Sequence, residues 1–188
     1  FDPENADEIL AAYNNATDRS DFAELIADAV FWAPSVSIAS DHRHVAPVWM
    51  YHFDFAGAPL QKLGVGAVHT ADLEAVFGAR FTTHAGILQH LSSREDFDTV
   101  SEMMQRHWGS FFHTGRPGDI WPEYGFSSDT APGRATAVLR TDSTVVWDPK
   151  AEKRRAWEGF NLTQWGTGRR DIAESLADFL GIDPDDPA

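Results

Sequence analysis

The sequence predicts part of an α/β domain, and three observations lead to this prediction. Residues 48–53 are rich in aromatic and β-favouring side chains, which indicates a strand. Residues 135–148 contain two apolar runs around Asp142 and Ser143, a pattern typical of a small hairpin. The rest of the chain has mostly helical spacing, so little sheet is available to bury the aromatic strand. We therefore expect this strand to lie beside neighbours that the chain does not supply.

Three helices are predicted before the strand. The first covers residues 5–16, where apolar side chains recur at helical spacing behind acidic residues. The second begins at Ser20, a candidate N-cap, and runs to about Trp32. Pro34 fits the first turn of a third helix that ends near Asp41.

After the strand, loops are predicted over residues 54–59 and 63–70, and Gly64 and Gly66 interrupt any regular pattern in the second loop. His69 therefore lies on a loop. Apolar spacing then predicts further helices over residues 72–77, 96–114 and 151–160. An amphipathic stretch and an acidic, proline-containing tail follow.

Composition restricts the classes of function. The chain has 188 residues, of which 43% are hydrophobic, which is enough for one packed core. Its formal net charge of -14 should repel phosphate backbones, so no nucleic-acid partner is expected. The absence of cysteine excludes disulfides and thiolate chemistry. It favours a cytoplasmic protein and also allows a secreted bacterial one, so the localisation stays unknown.

Neither a membrane span nor a signal peptide is expected. No apolar run approaches the roughly 20 residues that cross a bilayer, and the N-terminus lacks a basic segment followed by an apolar one. Because the first residue is Phe1 and not methionine, we expect the chain to begin inside a longer reading frame.

Several segments, taken in order, resemble the type-B carboxylesterases and cholinesterases. In that family a strand with aromatic residues leads to a loop that carries glycine and histidine, then to an acid and a phenylalanine-glycine pair. The run GAVHTADLEAVFG at 66–78 is similar to this histidine segment. Other segments agree in order and spacing, over a match of about residues 20–160: AVFWAPSVSIASDH at 29–42, VWMYHFDFA at 48–56, MMQRHWGSFFHTGRPG at 103–118, WPEY at 121–124 and VVWDP at 145–149.

The resemblance implies an α/β-hydrolase fold, with a mixed, mostly parallel sheet flanked by helices, and a Ser-Glu-His triad. In such a triad the histidine accepts the serine proton as the ester carbonyl is attacked, then returns it to the leaving alcohol. His69 matches this histidine, and an imidazole on a loop beyond a strand suits the role because it titrates near neutral pH. The implied activity is that of a serine carboxylesterase, and no metal or organic cofactor is implied.

Two departures from the family pattern lie beside the histidine. Thr70 stands where the family usually has glycine, and Asp72 stands where it usually has glutamate, so the loop geometry is expected to differ. Asp72 has two interpretations. In the first, Asp72 is not part of the triad but fixes the loop that carries the histidine. In the second, it is an acid at a helix N-terminus, where the helix dipole favours a negative charge.

The nucleophile is absent from the sequence. No GxSxG elbow occurs, and no NxxEG-like segment supplies the triad acid. In the family both lie upstream, as do the oxyanion-hole glycines. We therefore predict an ester hydrolase that is active only together with an N-terminal portion carrying the serine and the acid, with a small-molecule ester as substrate. Residues 1–160 are then the C-terminal portion of one α/β-hydrolase domain, and residues 161–188 are a C-terminal helix and acidic tail.

Two other classes of function stay open. The first is a cholinesterase-like binding or adhesion protein that keeps the fold without the serine. The second is an independent helical interaction domain, which would fold alone. A metal site at His42 and His44 is not predicted, because alternate residues of a strand point apart and no third ligand is evident.

Overall fold

The structure is a computed structural model that describes residues 3–62, 66–67, 70–78, 94–125, 127 and 133–160. These residues form two compact units. One contains the described parts of Phe1–Ser37 and Ala151–Ala188, and the other contains those of Ile38–Lys150. Residues 161–188, where a helix and tail are predicted, lie outside the described residues. The division of the chain at residue 160 stays a prediction.

The first unit is helical. Its elements are α1 (Pro3–Ala12), a 3-10 turn (Asn14–Ala16), α2 (Arg19–Ala27), a π-helical segment (Asp28–Trp32), the start of α3 (Ala33–His42) and α7 (Ala151–Glu158). Its core packs Ile9, Leu25 and Ala29 around Tyr13 and Trp157. The Tyr13 hydroxyl donates to Asp28 Oδ2 at 2.8 Å and accepts from Trp157 Nε1 at 2.9 Å, so the buried polar groups are paired.

The second and third helices end close to the predicted residues, but α1 ends at Ala12 and not at residue 16, because Asn14, Asn15 and Ala16 have positive φ values of 51°, 58° and 50°. The cap of α2 also differs from the prediction. The side chain of Asp18 accepts a hydrogen bond from the backbone N–H of Asp21 at 2.8 Å, so Asp18 is the N-cap. Ser20, the predicted cap, lies inside the helix. Asp and Ser are about equally good caps, so residue type does not favour Ser20 over Asp18, which was not considered as a cap.

The second and third predicted helices join into one segment, and this changes the expectation about membranes. Through the π-helical turn the helix continues over Arg19–His42, and its 24 residues are long and apolar enough to cross a bilayer by length and composition. The sequence did not predict this long apolar helix, because scattered polar residues interrupt each apolar run. Core helices of soluble proteins meet the same criterion, so a single helix of this kind is weak evidence for a span.

The second unit is built on a mixed sheet. Its strands are β1 (Met50–Phe53), β2 (Ala135–Leu139) and β3 (Thr144–Trp147), in the order β1-β2-β3. β1 pairs with β2 in parallel, and β2 pairs with β3 antiparallel, which confirms the predicted hairpin. Within the part of the chain that the structure describes, the outer edge of β1 has no partner strand.

One face of this sheet is covered by a long helix. α6 (Arg94–Thr114) places Phe97, Val100 and Met104 in a core with Leu139, and Tyr51 of β1 packs against this core. The helix confirms the prediction from apolar spacing. Two shorter helices follow β1, α4 (Ala58–Lys62) and α5 (Ala71–Phe77). α5 was predicted, whereas α4 begins where the sequence predicted a loop.

Candidate active site

The predicted catalytic residue, His69, lies outside the described residues, so its assignment stays a prediction. The structure describes what flanks it in the chain: Gly66 and Ala67 on one side, and Thr70 with α5 on the other. In the chain, these described residues come after β1 and α4.

Thr70 has a backbone conformation that favours glycine. Its φ of 68° and ψ of 1° are left-handed, and it precedes the first residue of α5. The Thr70 side chain makes no capping hydrogen bond, while its carbonyl accepts from the N–H of Leu73 at 3.2 Å. A β-branched residue is strained in this region of φ and ψ. The turn after the histidine therefore has a glycine-like geometry although a threonine occupies it.

Asp72 lies in the first turn of α5 and contacts the sheet. Its Oδ2 accepts a hydrogen bond from the Tyr51 hydroxyl of β1 at 2.9 Å. Burial raises the pKa of Tyr51 above its usual range, and the negative charge and hydrogen bond of Asp72 raise it further. Both interpretations of Asp72 are therefore compatible with its position, since it is an acid at a helix N-terminus and also links that terminus to β1.

The other end of α5 is fixed by α6. The Ser101 hydroxyl donates to the carbonyl of Ala75 at 2.8 Å and accepts from Gln105 Nε2 at 2.8 Å. Gly78 ends the helix with a φ of 62°, and a Cβ there would lie 2.8 Å from Gln105 Nε2. The positive φ of Gly78 favours glycine, whereas the Gln105 amide is the end of a flexible side chain and can shift away from a Cβ.

Glu74 is a buried carboxylate that sequence reasoning missed. Its side chain in α5 is only 1% exposed, whereas Leu73 and Phe77 are exposed on the same helix. Glu74 shares its face with the buried Ala71 and Ala75, at spacings of three and one. Small residues beside an acid on one helix face were the sequence signal for a buried Glu74. Apolar spacing instead indicates that Leu73 and Phe77 form the buried face, so Glu74 was missed.

A cleft of about 590 Å³ opens where β1 and β2 end, and Gly66 lines it. Its lining carries charge: Arg140 Nη1 lies 3.2 Å from Asp54 Oδ2, and Arg140 Nε lies 2.9 Å from Asp142 Oδ1. Pockets for small organic ligands are mostly apolar with few polar groups. The cleft therefore does not identify an ester-binding pocket.

Three other described histidines have surroundings that do not indicate a catalytic or metal-binding role. His107 is buried on α6, with its Nδ1 2.6 Å from the carbonyl oxygen of Pro117 and its ring edge-to-face with Trp121. His42 ends α3 and His44 lies in the following turn, not on a strand as expected. Among the described residues, no three or more His, Cys, Asp or Glu side chains are grouped to hold a metal ion.

Comparison with known proteins gives consistent matches. The model of the Carboxylesterase family matches residues 4–157. The para-nitrobenzyl esterase of Bacillus subtilis is 34% identical over 139 residues, which cover 70% of this chain and 26% of that protein. Carboxylesterase 1D of Rattus norvegicus is 30% identical over 170 residues, covering 83% of this chain and 29% of that protein.

Solved structures give the same result. A thermophilic PNB esterase superposes with a TM-score of 0.64 at 29% identity, over 82% of this chain and 30% of that chain. A second PNB esterase structure superposes with a TM-score of 0.59 at 30% identity, over 74% and 28%. The fold is thus that of these α/β-hydrolases, as predicted. The chain spans less than a third of the length of each relative that it matches here.

Proposed function

The chain belongs to the carboxylesterase family, and from this premise we propose that it supplies the catalytic histidine, His69, of a serine carboxylesterase. The observation that carries the proposal is the family match over residues 4–157, which includes the histidine loop. The complete protein would hydrolyse a small-molecule carboxylic ester. No metal or organic cofactor takes part in the proposed reaction.

The proposed reaction has two halves. In the first, His69 takes the proton of a serine hydroxyl as the serine oxygen attacks the ester carbonyl, and then gives that proton to the leaving alcohol. An acyl-enzyme remains. In the second half, His69 takes a proton from water, the resulting hydroxide attacks the acyl-enzyme, and the serine recovers its proton as the carboxylic acid leaves. A triad glutamate orients the imidazole in both halves.

The serine, the glutamate and the oxyanion hole would come from a preceding N-terminal portion of the same protein. Two observations support such a partner. β1 presents an edge that no strand pairs within the described residues, although parallel strands are normally buried in larger sheets. Large apolar side chains of α2 and α5 are also exposed, including Phe22, Ile26 and Phe77. Exposed apolar surface of this kind is typical of an interface.

The substitution His69→Ala in the complete protein tests the proposal. We expect kcat/KM to fall by about 10³-fold or more, because removal of a triad member leaves only residual catalysis. His113→Ala is the matched control, since His113 is exposed near the end of α6 and should leave kcat/KM unchanged. Near-normal turnover by the His69→Ala protein would refute the proposed role. A complete protein without esterase activity would favour the cholinesterase-like binding protein.

A further inference from the structure

Tyr51 connects the sheet to the beginning of α5. Its hydroxyl lies 2.9 Å from Asp72 Oδ2, and Asp72 is the second residue of that helix. In the sequence, His69 is two positions before Ala71, the first residue of the helix, and only Thr70 lies between them. The first turn of α5 is therefore the described element that lies next to His69 in the chain.

The Tyr51 side chain is held in one orientation. Its ring packs edge-to-face on Trp108 at a centroid distance of 5.1 Å and on Trp121 at 6.1 Å. Trp121 is itself fixed, because its Nε1 donates to the carbonyl of Met50 at 3.0 Å. The Tyr51 hydroxyl is protonated at neutral pH, as an ordinary tyrosine is, and burial raises its pKa further, so it remains a hydrogen-bond donor.

The two ends of α5 are held by different contacts. Ser101 binds the carbonyl of Ala75 near the C-terminal end. At the N-terminal end the cap residue, Thr70, makes no side-chain hydrogen bond to the helix. The Tyr51–Asp72 bond therefore ties the first turn to the sheet, and a hydrogen bond to a charged acceptor is stronger than one between neutral groups.

We propose that Tyr51 is a positioning residue for the esterase reaction, which acts through Asp72 to fix the first turn of α5 and with it the backbone of His69. This inference rests on the proposed function. Tyr51 does not touch the reacting atoms in this account. It affects the rate because catalytic groups must be held to within a fraction of an ångström for efficient proton transfer.

Variants of the complete protein test this role. Tyr51→Phe removes the hydroxyl and keeps the ring that packs on Trp108 and Trp121. We expect Tyr51→Phe and Asp72→Ala each to lower kcat by roughly tenfold while KM changes by less than about twofold. The double variant should be no slower than the slower single variant, because both remove the same bond. Asp72→Asn keeps an oxygen acceptor for the Tyr51 hydroxyl and should restore kcat to within about threefold.

Tyr13→Phe is the matched control for a general loss of stability. Tyr13 also donates to a carboxylate, Asp28, but in the helical unit and without a link to α5. We expect Tyr13→Phe to lower the melting temperature and leave kcat per active site unchanged, with active sites counted by titration with an organophosphonate ester.

The outcomes separate this inference from the proposed function. If His69→Ala abolishes turnover but Tyr51→Phe keeps the wild-type kcat, the positioning role is wrong and the esterase assignment stands. The role is also wrong if Tyr51→Phe and Tyr13→Phe change kcat per active site equally. If His69→Ala keeps its turnover, the proposed function itself fails.

Discussion

At the scale of single residues, Thr70 has the least favourable backbone conformation next to the predicted histidine. Its φ of 68° is costly for a β-branched residue, and no capping hydrogen bond from its side chain compensates. The cost is tolerated because α5 is held at both ends, by Tyr51 through Asp72 and by Ser101 through Ala75. The turn is thus fixed by its surroundings and not by its own residue.

Replacing Thr70 by glycine should therefore stabilise the complete protein. Glycine adopts a positive φ without strain, and we expect a gain of about 0.5–1 kcal/mol in the free energy of unfolding after its greater entropy in the unfolded chain is deducted. Thr70→Ala keeps a Cβ and should stay near the wild type. Melting temperatures of the three proteins check this prediction. A lower melting temperature for Thr70→Gly would show that the threonine side chain contributes an interaction of its own.

Residue-level prediction succeeded where a local pattern determines the outcome. The glycine at 78 ends a helix as its position after Phe77 indicates, and Asp72 lies in a first turn where acids are favoured. The bond from Tyr51 to Asp72 was not predictable. It joins residues 21 positions apart, and only the tertiary packing of β1 against α5 brings them together.

At the scale of elements, α2 and the π-helical segment that follows it expose an apolar face. Phe22, Ile26 and Val30 follow one another at helical spacing and are between 41% and 54% exposed. An adjoining face buries Leu25 and Ala29 in the core of the helical unit. A helix that is apolar on two sides is expected to contact neighbours on both. We expect the N-terminal portion of the complete protein to cover the exposed face.

Ile26→Lys tests this assignment. If the face is covered in the complete protein, an unpaired lysine there should cost about 2 kcal/mol or more of stability, because a charge is buried without a partner. The isolated chain should instead aggregate less. Thr99→Lys, at an exposed polar position on α6, is the control and should have little effect on either measurement. An unchanged melting temperature for the complete Ile26→Lys protein contradicts the assignment.

A second measurement is the binding of the wild-type protein to lipid vesicles. If it binds and the Ile26→Lys substitution abolishes this binding, the exposed face belongs to a membrane helix.

Most elements were predictable because their periodicity is strong. Apolar residues at intervals of three and four positions determine α6, and the paired apolar runs determine the β2-β3 hairpin. The short helix α4 was missed, since five residues are too few to show a helical period. The parallel pairing of β1 with β2 was not predicted residue by residue, because about 80 residues separate the two strands in the chain.

At the scale of the whole molecule, each of the two units holds a tyrosine that donates to an acid, the buried Tyr13 and the partly buried Tyr51. Burial raises the pKa of Tyr13 and of Tyr51, and the neighbouring carboxylates of Asp28 and Asp72 raise it further. The native state therefore keeps two protons that the unfolded chain loses above its ordinary tyrosine pKa of about 10. The stability that this provides is fully present below that pH and is lost as the pH rises.

We accordingly expect the free energy of unfolding to fall as the pH rises above about 10, with each tyrosine adding up to about 1.4 kcal/mol per pH unit to the slope. The double variant Tyr13→Phe/Tyr51→Phe should be less stable at neutral pH and show a flatter decline. Denaturant unfolding of both proteins between pH 8 and pH 11 measures the difference in slope. Equal slopes would mean that neither hydroxyl is held in its protonated form by the fold.

The central claim is that this chain carries the histidine, and not the serine, of a carboxylesterase. The most direct test is to treat the complete protein and the isolated chain of residues 1–188 with an organophosphonate ester and to map the labelled peptide by mass spectrometry. We expect one labelled serine in the complete protein, outside residues 1–188, with no labelling of the isolated chain and much slower labelling after His69→Ala. A labelled serine within residues 1–188, or a complete and folded protein that does not react, would contradict it.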